Sequence, residues 1–121
     1  MKQFFLIFFL PLFCYSQSSM NMNLLGTYDY NSTEGNDIWG WVDPQNGDHY
    51  ALLGLDTGTA FIRITNPENP LVIGYLPTHS SASLWRDIKT YQNHAFIVSE
   101  AGGHGMLVFD LSQLRNYDGS N

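Results

Sequence analysis

HYALLGLDTGTAFIRIT, residues 49–65, and HAFIVSEAGGHGMLVFDLS, residues 94–112, are two copies of one pattern within a single chain. HYALLG at 49–54 matches HAFIVS at 94–99 with an offset of 45, and GTAFIRIT at 58–65 matches GMLVFDLS at 105–112 with an offset of 47. The match continues outward. NDIWGW at 36–41 aligns with RDIKTY at 86–91, an offset of 50 that places Asp37 on Asp87 and Ile38 on Ile88. LLGTY at 24–28 aligns with VIGYL at 72–76, an offset of 48 that places Gly26 on Gly74. These four residues are structural repeat positions. The segments keep one order in both copies, and the offsets differ through turn length. A period near 47 residues holding four short strands has the size of one β-propeller blade.

Each segment reads as a strand of five to seven residues, rich in β-branched and aromatic side chains and bounded by Gly, Asn, Asp or Pro. Strands are expected near 24–28, 37–42, 50–54, 59–65, 71–76, 87–91, 95–99 and 106–111. Asn46-Gly47 signals a tight hairpin, because both residues tolerate positive φ. Asn66-Pro67 and Asn69-Pro70 force a loop, since proline donates nothing to a ladder. AGGHG at 101–105 reads as a hairpin connection. Helical periodicity is absent apart from a single turn expected around SASLW at 81–85. In HAFIVSE, Phe96, Val98 and Glu100 share one face and Ala95, Ile97 and Ser99 the other, so a strand covered on both sides is expected. The expected fold is all-β: a partial β-propeller with one complete four-stranded blade and three strands of a second. The strand at 24–28 stands ahead of the first blade, where it would complete a last blade that this chain lacks.

Aromatic residues make up 15% of the 121 residues and charged residues 13%, with a formal charge of −6. No basic cluster or stripe exists, which argues against nucleic acid as a partner. Residues 1–16, MKQFFLIFFLPLFCYS, carry Lys2, an apolar run from Phe4 to Phe13 and a small residue at Ser16. They read as a secretory signal cleaved before Gln17. The run is shorter than the ~20 apolar residues of a membrane span, so no transmembrane segment is expected. The only cysteine, Cys14, lies in that signal, leaving a mature chain without disulfides. Residues 17–23 form a linker and 24–121 the propeller portion.

NDIWGW, TNPENPLVIGYLPTH, SLWRDIK and HAFIVSEAGGHGMLVFDLS together resemble the choice-of-anchor B family of LVIVD-repeat proteins, over about residues 24–115. The resemblance implies a bacterial protein exported through the inner membrane to the cell surface or the extracellular space. It also implies further C-terminal blades in the full-length protein, and this sequence reads as part of a longer one. The family resemblance names no biochemical activity.

His49, His79, His94 and His104 invite a metal hypothesis with Glu100, Asp87 and Asp37, but no H-E-x-x-H, H-x-H or cysteine pair is present. His49 and His94 align in the repeat, which favours a shared structural job. Ser99, Glu100 and His104 lack a nucleophile elbow. AGGHG lacks the Lys-Ser/Thr of a phosphate loop. No catalytic residue, metal or cofactor is therefore expected. Trp85, Arg86 and Asp87 place an indole, a bidentate donor and a carboxylate in sequence, and Asp37, Trp39 and Trp41 do the equivalent in the first copy. Two uses are open. Asp37 and Asp87 could pair with backbone donors while the indoles fill between blades, making Trp85 a buried core residue. Alternatively, His79, Trp85, Arg86, Glu100 and His104 could line a ligand-binding mouth at the axial end. The expected function is a non-catalytic binding or interaction module for an unknown ligand or surface partner. The competing reading is a metal-assisted hydrolase at the axial mouth.

Overall fold

The computed structural model describes residues 22–30 and 34–117. The expected signal at 1–16, most of the expected linker at 17–23 and residues 31–33 and 118–121 lie outside the described residues. Seven strands form two antiparallel sheets. The first holds β1 (Gly35–Val42), β2 (His49–Leu55), β3 (Gly58–Arg63) and β4 (Leu71–Pro77) in sequence order. The second holds β5 (Arg86–Tyr91), β6 (His94–Ser99) and β7 (Met106–Asp110), also in order. The chain is all-β, with strands joined as meanders because each connection is short enough to return antiparallel.

The turns explain the boundaries. Between β5 and β6, Gln92 and Asn93 both have positive φ, 45° and 61°, giving a two-residue turn whose twist matches the strands. Asn46-Gly47 does not form such a turn. Instead Asp43 and Asp48 close a longer loop through Asp43 N–H to Asp48 O at 2.8 Å, and only Gly47 is left-handed, at φ 77°. The Asp43 carboxylate accepts the Gln45 N–H at 2.9 Å, which favours this wider loop over the tight one. The 101–105 connection uses Gly103 and Gly105 at φ 75° and 62°. The stretch 66–70 is a loop, pinned by Asn66 accepting from Glu68 N–H at 3.2 Å.

Two expected elements are absent. Residues 22–30 contain no strand. A strand must pair its N–H and C=O groups along a ladder, and this segment packs sideways instead. A side chain at Gly26 would meet the Pro67 carbonyl oxygen at 2.2 Å, and Tyr30 stacks on Tyr75 with centroids 6.3 Å apart. SASLW at 81–85 forms no helical turn. The helical turn is a 3-10 segment, Leu111–Asn116, directly after β7. Asp110 caps it by accepting from Ser112 N–H at 2.9 Å, and the three-residue spacing buries Leu111 and Leu114 together.

The core lies between the sheets. Trp41, Tyr50, Leu52 and Phe61 of the first sheet meet Ile88, Ala95 and Ile97 of the second in one buried cluster, closed by Leu111 and Leu114. Phe61 stacks on Phe109 at 4.7 Å. The opposite face of the second sheet, with Tyr91, Val98, Met106 and Val108, is exposed. Strand β6 is therefore covered on one side within these residues, where two-sided cover was expected.

The ladders also correct the repeat alignment. Trp41 pairs with Tyr50 in the first sheet and Tyr91 with His94 in the second. On the other side of the same strands, Arg63 pairs with Tyr50 and Asp110 with His94. Tyr50, not His49, is thus the counterpart of His94. The hairpin of β1 and β2 is one residue pair longer, ending at Val42 and His49, and His49 takes the place of Asn93. A one-residue shift exchanges the two faces of a strand, so His49 and His94 share no structural job.

Candidate functional site

Strand β5 begins at the seam between the sheets, and its first residues build the site. Arg86 pairs with Ser99 across the ladder and points toward the first sheet, where it is 2% exposed. Its Nε–H donates to Leu55 O at 2.8 Å and its Nη2 to Asp56 O at 3.4 Å, so the guanidinium caps the turn between β2 and β3. The Arg86 N–H donates to Asn36 Oδ1 at 3.3 Å. Burial pulls the guanidinium pKa below its ordinary value, opposed by the nearby Tyr75 phenol and Asp56 carboxylate; an arginine remains cationic there.

Asp87 points to the opposite face. Lys89 Nζ lies 2.6 Å from Asp87 Oδ1 and 3.7 Å from Asp37 Oδ2, and sits 4.3 Å from the centre of the Trp39 ring. The Lys89 hydrogen bond is the main cause that holds the Asp87 carboxyl below the usual carboxylate range. The same contact with Asp87 raises Lys89. Asp37 itself accepts the Ile88 N–H at 2.8 Å, a backbone bond from one sheet to the other.

Around these residues opens a cleft of about 450 Å³ lined by Asn36, Asp37, Trp85, Arg86, Asp87, Val98, Ser99 and Glu100. The structure therefore brings Trp85, Arg86 and Glu100 to one place. Trp85 is 62% exposed and is not the buried core residue that was one of its expected uses. It precedes β5, outside the ladder that orients Arg86 inward.

His79 and His104 form a separate pair beside the cleft, with ring centroids 4.9 Å apart. His104 is buried, and its Nδ1 lies 2.9 Å from Ser80 Oγ and 3.4 Å from Thr78 Oγ1. Burial, then the positive charge of Arg86, then His79 lower its pKa, which keeps the ring neutral at pH 7. Its Nε2, Arg86 Nη1 and Asp56 Oδ1 are buried without hydrogen-bond partners among the described residues. Ser99 Oγ accepts from Ala101 N–H at 3.3 Å. Among the described residues Ser99 and His104 make no mutual hydrogen bond, and no group of three or more His, Cys, Asp or Glu is placed to hold a metal ion.

The sequence missed a second cleft of about 310 Å³ between β4 and the β7 end of the other sheet, lined mainly by Phe61, Ile73, Tyr75, Phe109, Leu114 and Tyr117. These residues read as ordinary strand interior, and nothing in their spacing marks a gap.

Fold and site together define an all-β protein of two facing antiparallel sheets with an acidic, indole-bearing cleft at one end of the seam. Compared with known proteins, the chain matches no protein-family model, no curated protein and no solved structure. Among the described residues no helix is long and apolar enough to cross a membrane.

Proposed function

We propose that this chain is part of an exported, LVIVD-type β-propeller of the choice-of-anchor B kind, acting as a non-catalytic binding module whose ligand contacts the exposed Trp85 at the mouth of the cleft. The observation that carries it is the repeated unit. Two meanders of the same strand order stand face to face, and the face of the second sheet that corresponds to the buried face of the first is still apolar and exposed. Repeats of this type bury such faces against their neighbours. The cleft lies at the start of β1 and β5, the first strand of each unit, so it would fall at an axial end of a closed ring, where loops of several units converge.

Two measurements test this. Mass spectrometry of exported protein should find Gln17, or its cyclised form, at the N-terminus; a retained Met1 or a lipidated Cys14 would remove the export assignment. Trp85→Ala should abolish ligand binding by the full-length protein with little change in melting temperature. Binding that survives this change would place the ligand elsewhere.

A further inference from the structure

The first sheet contains a groove that corresponds, residue by residue, to the open cleft of the second. With the ladder registers above, Gly54, Leu55 and Asp56 are the counterparts of Val98, Ser99 and Glu100, and Gly35 and Asp37 are the counterparts of Arg86 and Asp87, with Asn36 the extra residue of the bulge between Gly35 and Ile38. The first groove is filled. Arg86 enters it, donating through Nε to Leu55 O at 2.8 Å and through Nη2 to Asp56 O at 3.4 Å. The same incoming strand gives its Ile88 N–H to Asp37 Oδ2 at 2.8 Å. In the second sheet the equivalent residues, Ser99, Glu100 and Asp87, line the open cleft.

We propose that the cleft at Asp87, Ser99 and Glu100 is a socket for an arginine-led β-strand, in which a guanidinium meets the Ser99 and Glu100 carbonyls and the following backbone N–H meets Asp87. This rests on the repeat stacking proposed above and names the residue that specifies it. Charge agrees: Asp37, Asp87 and Glu100 put three carboxylates around the cleft against Lys89 and Arg86, and Arg86 turns its guanidinium to the Leu55 and Asp56 carbonyls of the first groove, so the field of the cleft favours a cation. A guanidinium suits it better than an ammonium, since its planar fork can reach two carbonyls at once. The occupant is a strand from a further repeat, not a second copy of this chain. The free unit of a second copy offers Gly35 at the arginine position, and its Arg86 is already buried in its own groove. Val98 stands where Gly54 stands; a Cβ at Gly54 would sit 3.5 Å from the Arg86 Cβ, ordinary contact that turns the floor of the socket apolar.

A synthetic peptide copying residues 84–91, LWRDIKTY, is the key already present in this chain and serves as the probe. Titrated into isotopically labelled protein, it should shift the amide resonances of Val98, Ser99 and Glu100 and those of the exposed face at Met106 and Val108. A peptide with glutamine in place of the arginine should bind at least about tenfold more weakly, the worth of a hydrogen-bonded charge. Glu100→Gln in the protein should weaken the arginine peptide and leave the glutamine peptide unchanged. Equal binding of both peptides, with shifts on Met106 and Val108, would overturn the socket and leave repeat stacking intact. Shifts at Ser99 and Glu100 from N-acetyl-arginine amide, but none on the sheet face from either peptide, would keep the socket and overturn stacking. No shift from any of the three would overturn both.

Discussion

Asp37 Oδ2 accepts the Ile88 backbone N–H at 2.8 Å, so a side chain at the start of β1 is bonded to the main chain of β5. Two residues further along the same face, Trp39 Nε1 donates to Thr90 Oγ1 at 3.1 Å, and Trp41 Nε1 reaches Asn93 Oδ1 at 3.4 Å. The period-two spacing of these three residues lines up one face of β1 as a polar seam against the second sheet. Asp37→Ala removes the acceptor and leaves the Ile88 N–H partly buried and unpaired. The expected loss is about 1–3 kcal/mol, read from the urea midpoint. An unchanged midpoint would mean that the seam contributes nothing beyond its apolar neighbours.

Phe61 and Trp85 should respond in opposite ways to truncation. Phe61 is 2% exposed and stacked on Phe109, so Phe61→Ala should cost about 3–5 kcal/mol through lost burial and an unfilled cavity. Trp85 is mostly exposed, and Trp85→Ala should stay within about 0.5 kcal/mol of the parent. Thermal unfolding of both variants decides it, and a large loss for Trp85→Ala would require that it be covered in solution.

His104 gives the stability a pH dependence near neutrality. Its folded pKa lies below the ordinary histidine value because burial and the Arg86 charge disfavour the imidazolium. Between that value, about 6.5, and the lower folded one, the unfolded chain binds the extra proton and stability rises with pH. The contribution is complete above the ordinary value and is lost as pH falls through the folded one. Urea midpoints from pH 8 to pH 5 should decline, with a shallower slope in His104→Gln; identical slopes would exclude His104 as the source.

Arg115 and Asp43 tie the 3-10 turn to the loop between β1 and β2. The Arg115 guanidinium grips the buried Asp43 carboxylate with both arms, Nη2 to Oδ1 at 2.7 Å and Nε to Oδ2 at 2.5 Å. This bond is the main cause of a carboxyl held below its usual range. Stability from it is present above the ordinary aspartate value and is lost as pH falls through the lower folded one. Arg115→Gln should leave the buried carboxylate without a counter-ion, held only by the Gln45 N–H, weaken hydrogen-exchange protection at Leu111 and Leu114 first, and move the acid unfolding midpoint upward. Unchanged protection would mean that the apolar contacts of the two leucines suffice.

Much was legible in the residues because strands of this kind announce themselves locally. Alternation in 94–99, the turn residues around it and the apolar run at 59–63 need only neighbouring positions to act, and the observed strands follow them. The segment 24–28 shares that pattern with 72–76 yet forms no strand, because a ladder needs an edge and local pattern supplies none. Trp85, Arg86 and Glu100 could be named as neighbours in one site from the repeat. Which of them faces inward could not.

By itself the sequence determined an all-β chain, the repeated unit, and the arrival of Asp37 and Asp87 at equivalent places. Only the tertiary structure decided the phase of β2 against β6, and with it the correspondence of Leu55 and Asp56 to Ser99 and Glu100. The two histidines, His49 and His94, suggested a phase one residue away. Side chains of a strand alternate with a period of two, so that single residue separates one face from the other. The distinction rests on hydrogen bonds between strands distant in sequence, set by a two-residue turn at Gln92-Asn93 and a wider loop at Asp43–Asp48. The same packing turned Arg86 into the seam and left Trp85 outside it, since a charged side chain is buried only where fixed carbonyls wait to receive it.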